Sequence, residues 1–263
     1  MSDTRTLAGV HPVDLGDGVH AFFTTATGGV SPAPWSTSGS GGLNLGLNVS
    51  DSAERVAVNR SLAAERLGAP VAFATQVHGD RVLELGPAER TRWAARRAPA
   101  SAGEADALVT AERGLGLGVL VADCVPVLLA DPGARVVGVA HAGRNGVLSG
   151  VVHRAMDALV ARGADPARVR AVVGPAVCGR CYEVPATMRD EVAAAVPATF
   201  ATTREGTPGL DLPSGVVAQL AARGVEAMRV ERCTLEDPDL FSHRRASAAG
   251  TTTGRQAGII ALI

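Results

Sequence analysis

Asp123-Cys124-Val125-Pro126-Val127-Leu128-Leu129-Ala130-Asp131-Pro132-Gly133-Ala134-Arg135-Val136-Val137-Gly138-Val139-Ala140-His141 reads as two strands joined by a tight turn. Val and Leu crowd both arms, and Asp131-Pro132-Gly133-Ala134 carries the turn chemistry. Pairing Ala130 with Arg135 sets Cys124 directly opposite His141, on one face of the hairpin, with Cβ atoms about 5 Å apart. A thiol and an imidazole distant in sequence then become one reactive pair. His78 closes the apolar run Val71–Val77 and is the candidate third member.

Working outward, Gly18–Thr25, Ala105–Thr110, Leu117–Asp123, Val169–Gly174 and Ala257–Leu262 read as further strands. Asp51 offers an N-cap with Glu54 three residues on, opening an amphipathic helix that runs to Leu67 and stops at Gly68. Further helices are predicted over 146–162 and near Pro185–Ala195 and Pro213–Ala222. The pattern is mixed α/β. The Gly, Ser and Pro-rich stretch Thr27–Gly42 is too long for a simple connector and is expected to cover a site. Arg90, Arg92, Arg96 and Arg97 read as a solvated helix face or a mobile insertion. No stretch has the composition of a linker, so residues 1–263 are read as one domain.

Composition narrows the function. A net charge of −1 excludes a nucleic-acid surface built on long-range attraction, and 3% aromatic residues leave little to stack bases on. All 25 basic residues are arginine, which excludes lysine Schiff-base chemistry and makes any anion clamp a guanidinium one. With neither a signal-peptide stretch nor an apolar run of about 18 residues, the expectation is a soluble, cytoplasmic protein with no membrane partner. Reducing conditions there leave Cys124, Cys178, Cys181 and Cys233 as ligands, nucleophiles or core residues rather than disulfide partners.

Cys124, His141 and His78 form a Cys-His-His set that suits Zn²⁺, with Cu²⁺ the alternative, and leaves a fourth position open for water or substrate. The same trio supports a metal-free route in which His141 takes the Cys124 proton and the thiolate attacks an acyl carbon. A single set of this kind lacks the clustered copper ligands of multicopper oxidation. His141-Ala142-Gly143-Arg144-Asn145-Gly146 leads into a helix and offers free N–H groups to an anion; if the strand continued through it, Arg144 would point away from the site. Ser242-His243-Arg244-Arg245 is a second anion- or sugar-binding candidate. Cys178-Gly179-Arg180-Cys181 has the spacing of a metal knuckle, with Cys233 and His243 as candidates to complete it. Gly114-Leu115-Gly116-Leu117-Gly118 leads into a strand and so is not a dinucleotide fingerprint.

These residues belong to a longer series: Phe22-Phe23-Thr24-Thr25, Gly28-Gly29-Val30-Ser31, Asn44-Leu45, Asn59-Arg60, Gln76-Val77-His78-Gly79, Ala105-Asp106-Ala107 and Ala122-Asp123-Cys124-Val125-Pro126. It continues with His141-Ala142-Gly143, Gly174-Pro175, Cys181-Tyr182-Glu183-Val184, Cys233-Thr234, Phe241-Ser242-His243-Arg244-Arg245 and Gly254-Arg255-Gln256. In this order, over nearly the whole chain, they resemble the laccase-domain (multicopper polyphenol oxidase-like) family, which includes purine nucleoside phosphorylases and a peptidoglycan-editing factor. The resemblance implies a layered mixed-sheet α/β sandwich similar to the catalytic domain of cytotoxic necrotizing factor. It also implies that His78, Cys124 and His141 are both the metal-binding and the catalytic residues. Two departures stand out: Ala26 where the family's pattern has Arg, and Arg144-Asn145-Gly146 where it has Trp-Arg-Gly.

The function so implied is a metal-dependent purine nucleoside phosphorylase acting on adenosine, inosine, guanosine or methylthioadenosine with phosphate, together with adenosine deamination. Asn44, Gln76, Asp123, Arg244 and Arg245 are its candidate substrate contacts. Two competing expectations are a Cys-His hydrolase that edits peptidoglycan precursors and a catalytically lapsed paralogue that binds a nucleotide.

Overall fold

The computed structural model describes residues 9–36, 39, 41–95 and 100–263. In chain order the elements are β1 (Val10–Pro12), β2 (Val19–Thr24), β3 (Thr27–Ser31), α1 (Ala53–Leu67), β4 (Val71–Phe73), β5 (Val82–Leu85), α2 (Pro87–Ala94) and β6 (Ala107–Thr110). Next come β7 (Gly116–Val121), β8 (Val125–Asp131), β9 (Val136–Ala142), α3 (Arg144–Ser149), α4 (Val151–Ala161) and β10 (Arg170–Val173). The chain ends with α5 (Ala186–Ala195), β11 (Phe200–Thr202), β12 (Pro208–Leu210), α6 (Leu212–Ala221), β13 (Ala227–Arg229), α7 (His243–Ala248) and β14 (Gln256–Leu262).

One mixed sheet is ordered β1-β2-β14-β7-β4 and the other β13-β10-β8-β9-β6-β5. Side chains alternate across each strand and so sort into three apolar layers. Leu128, Ala130, Val137 and Val139 of β8 and β9 meet Phe23, Leu117 and Ile260 of the facing sheet. Val127, Leu129, Val136 and Ala140 point the other way, onto Val152, Met156 and Leu159 of α4 and Val216 and Leu220 of α6. Ile259 and Phe22 turn their backs on the inter-sheet layer and pack on Ala63 and Leu67 of α1. The result is the expected layered mixed-sheet sandwich, helix on sheet on sheet on helix. Strands buried on both faces are why these runs read as continuously apolar.

The hairpin forms, but its register differs from the expected one by two residues. Ala130 pairs with Val137 and Asp131 with Val136, so Pro126 faces His141 and Val125 faces Ala142. The cause is the turn. Its loop is Pro132–Arg135, with Asp131 Oδ1 accepting the Ala134 amide at 3.0 Å and Arg135 in the left-handed region at φ 55°. A shift of two residues preserves side-chain parity. Cys124 and His141 therefore stay on one face as diagonal rather than direct neighbours.

Other boundaries move for local reasons. Ser52, not Asp51, caps α1, accepting the Arg55 amide, while Asp51 is bonded to Ser31, Asn44 and Arg55. Gly68, at φ 83°, ends the helix as expected. The helix predicted over 146–162 is broken into α3 and α4 by Gly150, also left-handed at φ 82°. The first part of the supposed loop 27–42 is strand β3. Arg90 and Arg92 lie exposed on α2, while Arg96 and Arg97 fall outside the described residues. Among the described residues, no helix is long and apolar enough to cross a membrane.

Candidate functional site

Cys124 and His141 emerge at one end of the inter-sheet layer, and the turn after β4 brings His78 to them. The three donor atoms lie within 4.8 Å of one another. The rings of His78 and His141 meet edge to face, with centroids 4.7 Å apart and planes at 77°. Gly143 stands across the ladder from Cys124. A Cβ there would lie 2.9 Å from His78 Cδ2 and 3.1 Å from Cys124 Sγ, so only glycine leaves the cradle open.

Asp106, just before β6, organises the cluster and is one of the residues that motif reading passed over. Its fully buried carboxylate lies 2.8 Å from His141 Nδ1 and accepts the amides of Val77, His78 and Gly79 at 3.1, 2.9 and 2.7 Å. A carboxylate only accepts, so His141 carries its proton on Nδ1 and presents Nε2 to the cluster. The three successive amides form a cradle around the anion. That cradle also holds His78 in the left-handed region, at φ 61°, a conformation costing about 1–3 kcal/mol unless the surroundings enforce it. The signal was present in Ala105-Asp106-Ala107, an acidic residue in an otherwise apolar strand entry.

Charge couples the pair. Burial alone would raise the Cys124 pKa, but the His141 imidazolium and its hydrogen bond, with His78 beside them, outweigh burial and hold the thiol at about 6. Burial would likewise lower His141, yet the Cys124 thiolate and Asp106 hold it up at about 9. A thiolate and two imidazole nitrogens are the borderline-soft donors that zinc or copper takes. Tetrahedral coordination with Zn–S near 2.3 Å and Zn–N near 2.1 Å needs donors roughly 3.5 Å apart, within the reach of this cluster.

The cluster opens into a cavity of about 1100 Å³ between the two sheets and α7. Among the described residues, Arg60, Arg144, Arg244 and Arg255 line it, against Asp123 as the one carboxylate. Arg60 lies 4.4 Å over the Phe73 ring and donates to Leu45 O, and burial lowers its pKa only to about 10, so it stays charged. Arg244 lies 4.9 Å over Tyr182. Among the described residues neither Arg144 nor Arg244 has an acidic partner. Arg144 reaches the lining because β9 ends at Ala142 and the helix turn begins at once, so strand geometry does not continue through it. Ala26 is fully buried and does not line the cavity, and Gly46–Val49 line it whereas no described residue of the 27–42 stretch does.

Of the five candidate substrate contacts, Arg244 alone has an uncommitted polar end in the cavity. Asn44 is fully buried, its carboxamide bonded to Gly46, Asp51 and the Arg255 amide. Gln76 lines the cavity, but both ends of its amide pair with the backbone of Leu120 at 2.7 Å, extending the β4–β7 ladder. Asp123, at φ 89°, accepts Thr234 Oγ1 and the Arg244 amide at 2.7 Å each. Arg245 turns away and clamps the carbonyls of Thr234, Leu235, Asp237 and Leu240. These four hold the walls of the site in place; the cavity arginines 60, 144 and 255 and Tyr182 are the polar groups that reading missed or placed elsewhere.

Residues 20–263 match the family model described as multi-copper polyphenol oxidoreductase laccase. Purine nucleoside phosphorylase ORF3 of Streptomyces griseus is 52% identical over 246 residues, which is 92% of this chain and 93% of the relative. Purine nucleoside phosphorylase Rv2149c of Mycobacterium tuberculosis is 42% identical, with 95% and 96% covered. Among solved structures, YlmD of Geobacillus stearothermophilus superposes with a TM-score of 0.84 at 31% identity, covering 100% of this chain and 98% of that one. The YfiH protein of Bacillus licheniformis gives the same TM-score at 32% identity, with 98% and 97% covered. With a donor cluster, an arginine-lined cavity and relatives matched end to end, this chain belongs to the laccase-like multi-copper polyphenol oxidoreductase family.

Proposed function

We propose that the protein is a metal-dependent purine nucleoside phosphorylase, with adenosine, inosine, guanosine and methylthioadenosine as its substrate class and residues 1–263 acting as one unit. The observation that carries the reading is the juxtaposition of the Cys-His-His cluster with Arg60, Arg144, Arg244 and Arg255 and, among the described residues, a single, already engaged carboxylate. A cavity of this size and sign suits a nucleoside together with an anion. His78, Cys124 and His141 would hold zinc, since the donors converge, Gly143 leaves them room and Asp106 fixes the His141 tautomer.

Zinc bound there supplies Lewis acidity toward an oxygen nucleophile. Arg144 and Arg244 bind phosphate and orient one of its oxygens at the anomeric carbon of the sugar. The new C–O bond forms as the bond from that carbon to the purine nitrogen breaks, and the base leaves with the bonding pair. Tyr182, whose phenol burial pushes further above its usual range, stays protonated and donates a hydrogen bond to the departing base. Arg60 and Arg255 keep the cavity positive as charge shifts from phosphate to base. Water in place of phosphate, directed at the purine amino carbon, would give deamination of adenosine: the new C–O bond forms, the C–N bond to the amino group breaks, and ammonia leaves with a proton from the attacking water.

Incubating the protein with each nucleoside and phosphate, with and without a chelator, and separating free base, sugar phosphate and deaminated product by chromatography tests this. Chelator-sensitive phosphorolysis that Cys124→Ala abolishes is the expected result; turnover retained in that variant refutes it. The low Cys124 pKa favours one competing reading, a thiolate hydrolase acting on peptidoglycan precursors. That reading requires activity that survives chelation and is lost on alkylation of Cys124.

A further inference from the structure

The motif Cys178-Gly179-Arg180-Cys181 plays no part in the reaction above, yet the fold brings a third thiol to it. One donor atom each from Cys178, Cys181, Cys233 and Glu236 lies within 4.8 Å of the others. Glu236, not His243, completes the group, since His243 heads α7 on the cavity lining. We propose that Cys178, Cys181, Cys233 and Glu236 form a second, structural zinc site, independent of the His78-Cys124-His141 cluster.

The backbone is shaped for this. Both Cys181 and Tyr182 donate their amides to Cys178 O, at 2.9 and 3.0 Å, folding the segment into one turn that brings its two thiols together. Cys178 N donates to Cys233 Sγ at 3.4 Å, which holds the third sulfur against the turn. A parallel bridge between Ala176 and Cys233, with Thr234 N donating to Ala176 O at 3.1 Å, fixes the two segments side by side. Glu236 N donates back to Cys233 O, returning the carboxylate toward the sulfurs, and Arg204 pairs with that carboxylate from outside.

The donor set selects the ion. Three sulfurs and one oxygen exclude calcium and magnesium, which take oxygen ligands, and match a closed four-coordinate zinc site. All four cysteines are free thiols. Binding a divalent ion there displaces the thiol protons. The site would also brace the reaction cavity. Val177 and Tyr182 flank the first turn and line the cavity, and Thr234 on the second holds Asp123.

The test is metal stoichiometry by elemental mass spectrometry on the full chain, purified under reducing conditions from zinc-supplemented cells. Two zinc ions per chain are expected in the parent, one in Cys124→Ala, and one in Cys178→Ser or Cys233→Ser. Because the serine variants could fold poorly, the deciding sample is metal-stripped Cys124→Ala refilled with Co²⁺, in which the proposed cluster is intact. Thiolate-to-cobalt charge transfer with tetrahedral d–d bands supports the site. No zinc and no such spectrum in Cys124→Ala, or an intact protein lighter by two hydrogens because two of these cysteines have joined, overturns it. Neither outcome depends on phosphorolysis, so this site and the catalytic reading fail separately.

Discussion

Asp106 Oδ1 lies 2.8 Å from His141 Nδ1 and accepts the His78 amide at 2.9 Å, so one buried oxygen orients both histidines of the cluster. Replacing Asp106 by Asn keeps the shape but removes the charge and turns part of the acceptor into a donor facing backbone N–H groups. We expect Asp106→Asn to lose about 2–4 kcal/mol of stability in urea unfolding at pH 7, because hydrogen bonds to charged groups contribute about 1.5–3 kcal/mol each. Zinc affinity should fall about 10–100-fold, the usual effect of losing a ligand's hydrogen-bond partner.

The same carboxylate predicts a pH dependence. Burial would raise its pKa, but the His141 hydrogen bond and the amides of Gly79 and Val77 outweigh burial and hold it below the usual range. A group depressed on folding contributes stability that is present above its unfolded pKa and lost as pH falls through its folded one. The parent's unfolding free energy should therefore decline on the acid side of the ordinary carboxylate range more steeply than that of Asp106→Asn. Parallel curves would show that Asp106 is not ionised in the fold.

Cys124 gives a second titration. In metal-stripped protein, iodoacetamide should label Cys124 with a rate midpoint at about pH 6, read site by site by peptide mass spectrometry. Cys181, pushed up to about 12, should remain unlabelled at neutral pH. In His141→Ala only His78 is left to oppose burial, and the Cys124 midpoint should move up. A midpoint unchanged by that substitution would remove the ion pair.

Much of this was legible in the sequence because parity survives error. The hairpin arms, their apolar filling and the pairing of Cys124 with His141 all follow from a two-residue repeat, so a register displaced by two still put both side chains on one face. The roles of Asn44, Gln76, Asp123 and Arg245 were not legible. Each is a polar residue in a family motif, and whether such a residue meets substrate or backbone depends on contacts far along the chain: Gln76 with Leu120, Asp123 with Thr234. Arg144 was misplaced for a local reason, since Gly143 turns a strand into a helix within one residue.

Gly143 offers a test of the cradle that touches no donor. A methyl group there would meet the His78 ring at 2.9 Å and the Cys124 sulfur at 3.1 Å, while the backbone, at φ −76°, accepts any residue. Gly143→Ala should leave the circular dichroism spectrum unchanged and lower zinc affinity about 10–100-fold by displacing ligands from their orientation. Full zinc occupancy at unchanged affinity would show that the ion does not sit between these three side chains.

Arg244 and Arg245 are neighbours in sequence with opposite surroundings, and exchanging either for alanine should separate function from stability. Arg244 presents its guanidinium to the cavity over Tyr182 with no acidic partner among the described residues. Its loss should raise the KM for phosphate and cut kcat/KM about 10–100-fold, the equivalent of one charge-assisted hydrogen bond of about 1.5–3 kcal/mol. The melting temperature should barely move. Arg245 instead ties together four carbonyls of the 234–240 loop, each of which would lose that donor. Arg245→Ala should lower stability by about 2–4 kcal/mol, from several hydrogen bonds lost at once. Lysine tests the geometry further: Arg244→Lys keeps a cation in the cavity and should recover part of the phosphate affinity, whereas Arg245→Lys lacks the fork that reaches several carbonyls and should stay unstable. Equal effects of the two alanine variants on melting, with neither changing the KM for phosphate, would mean that the cavity arginines do not hold the anion.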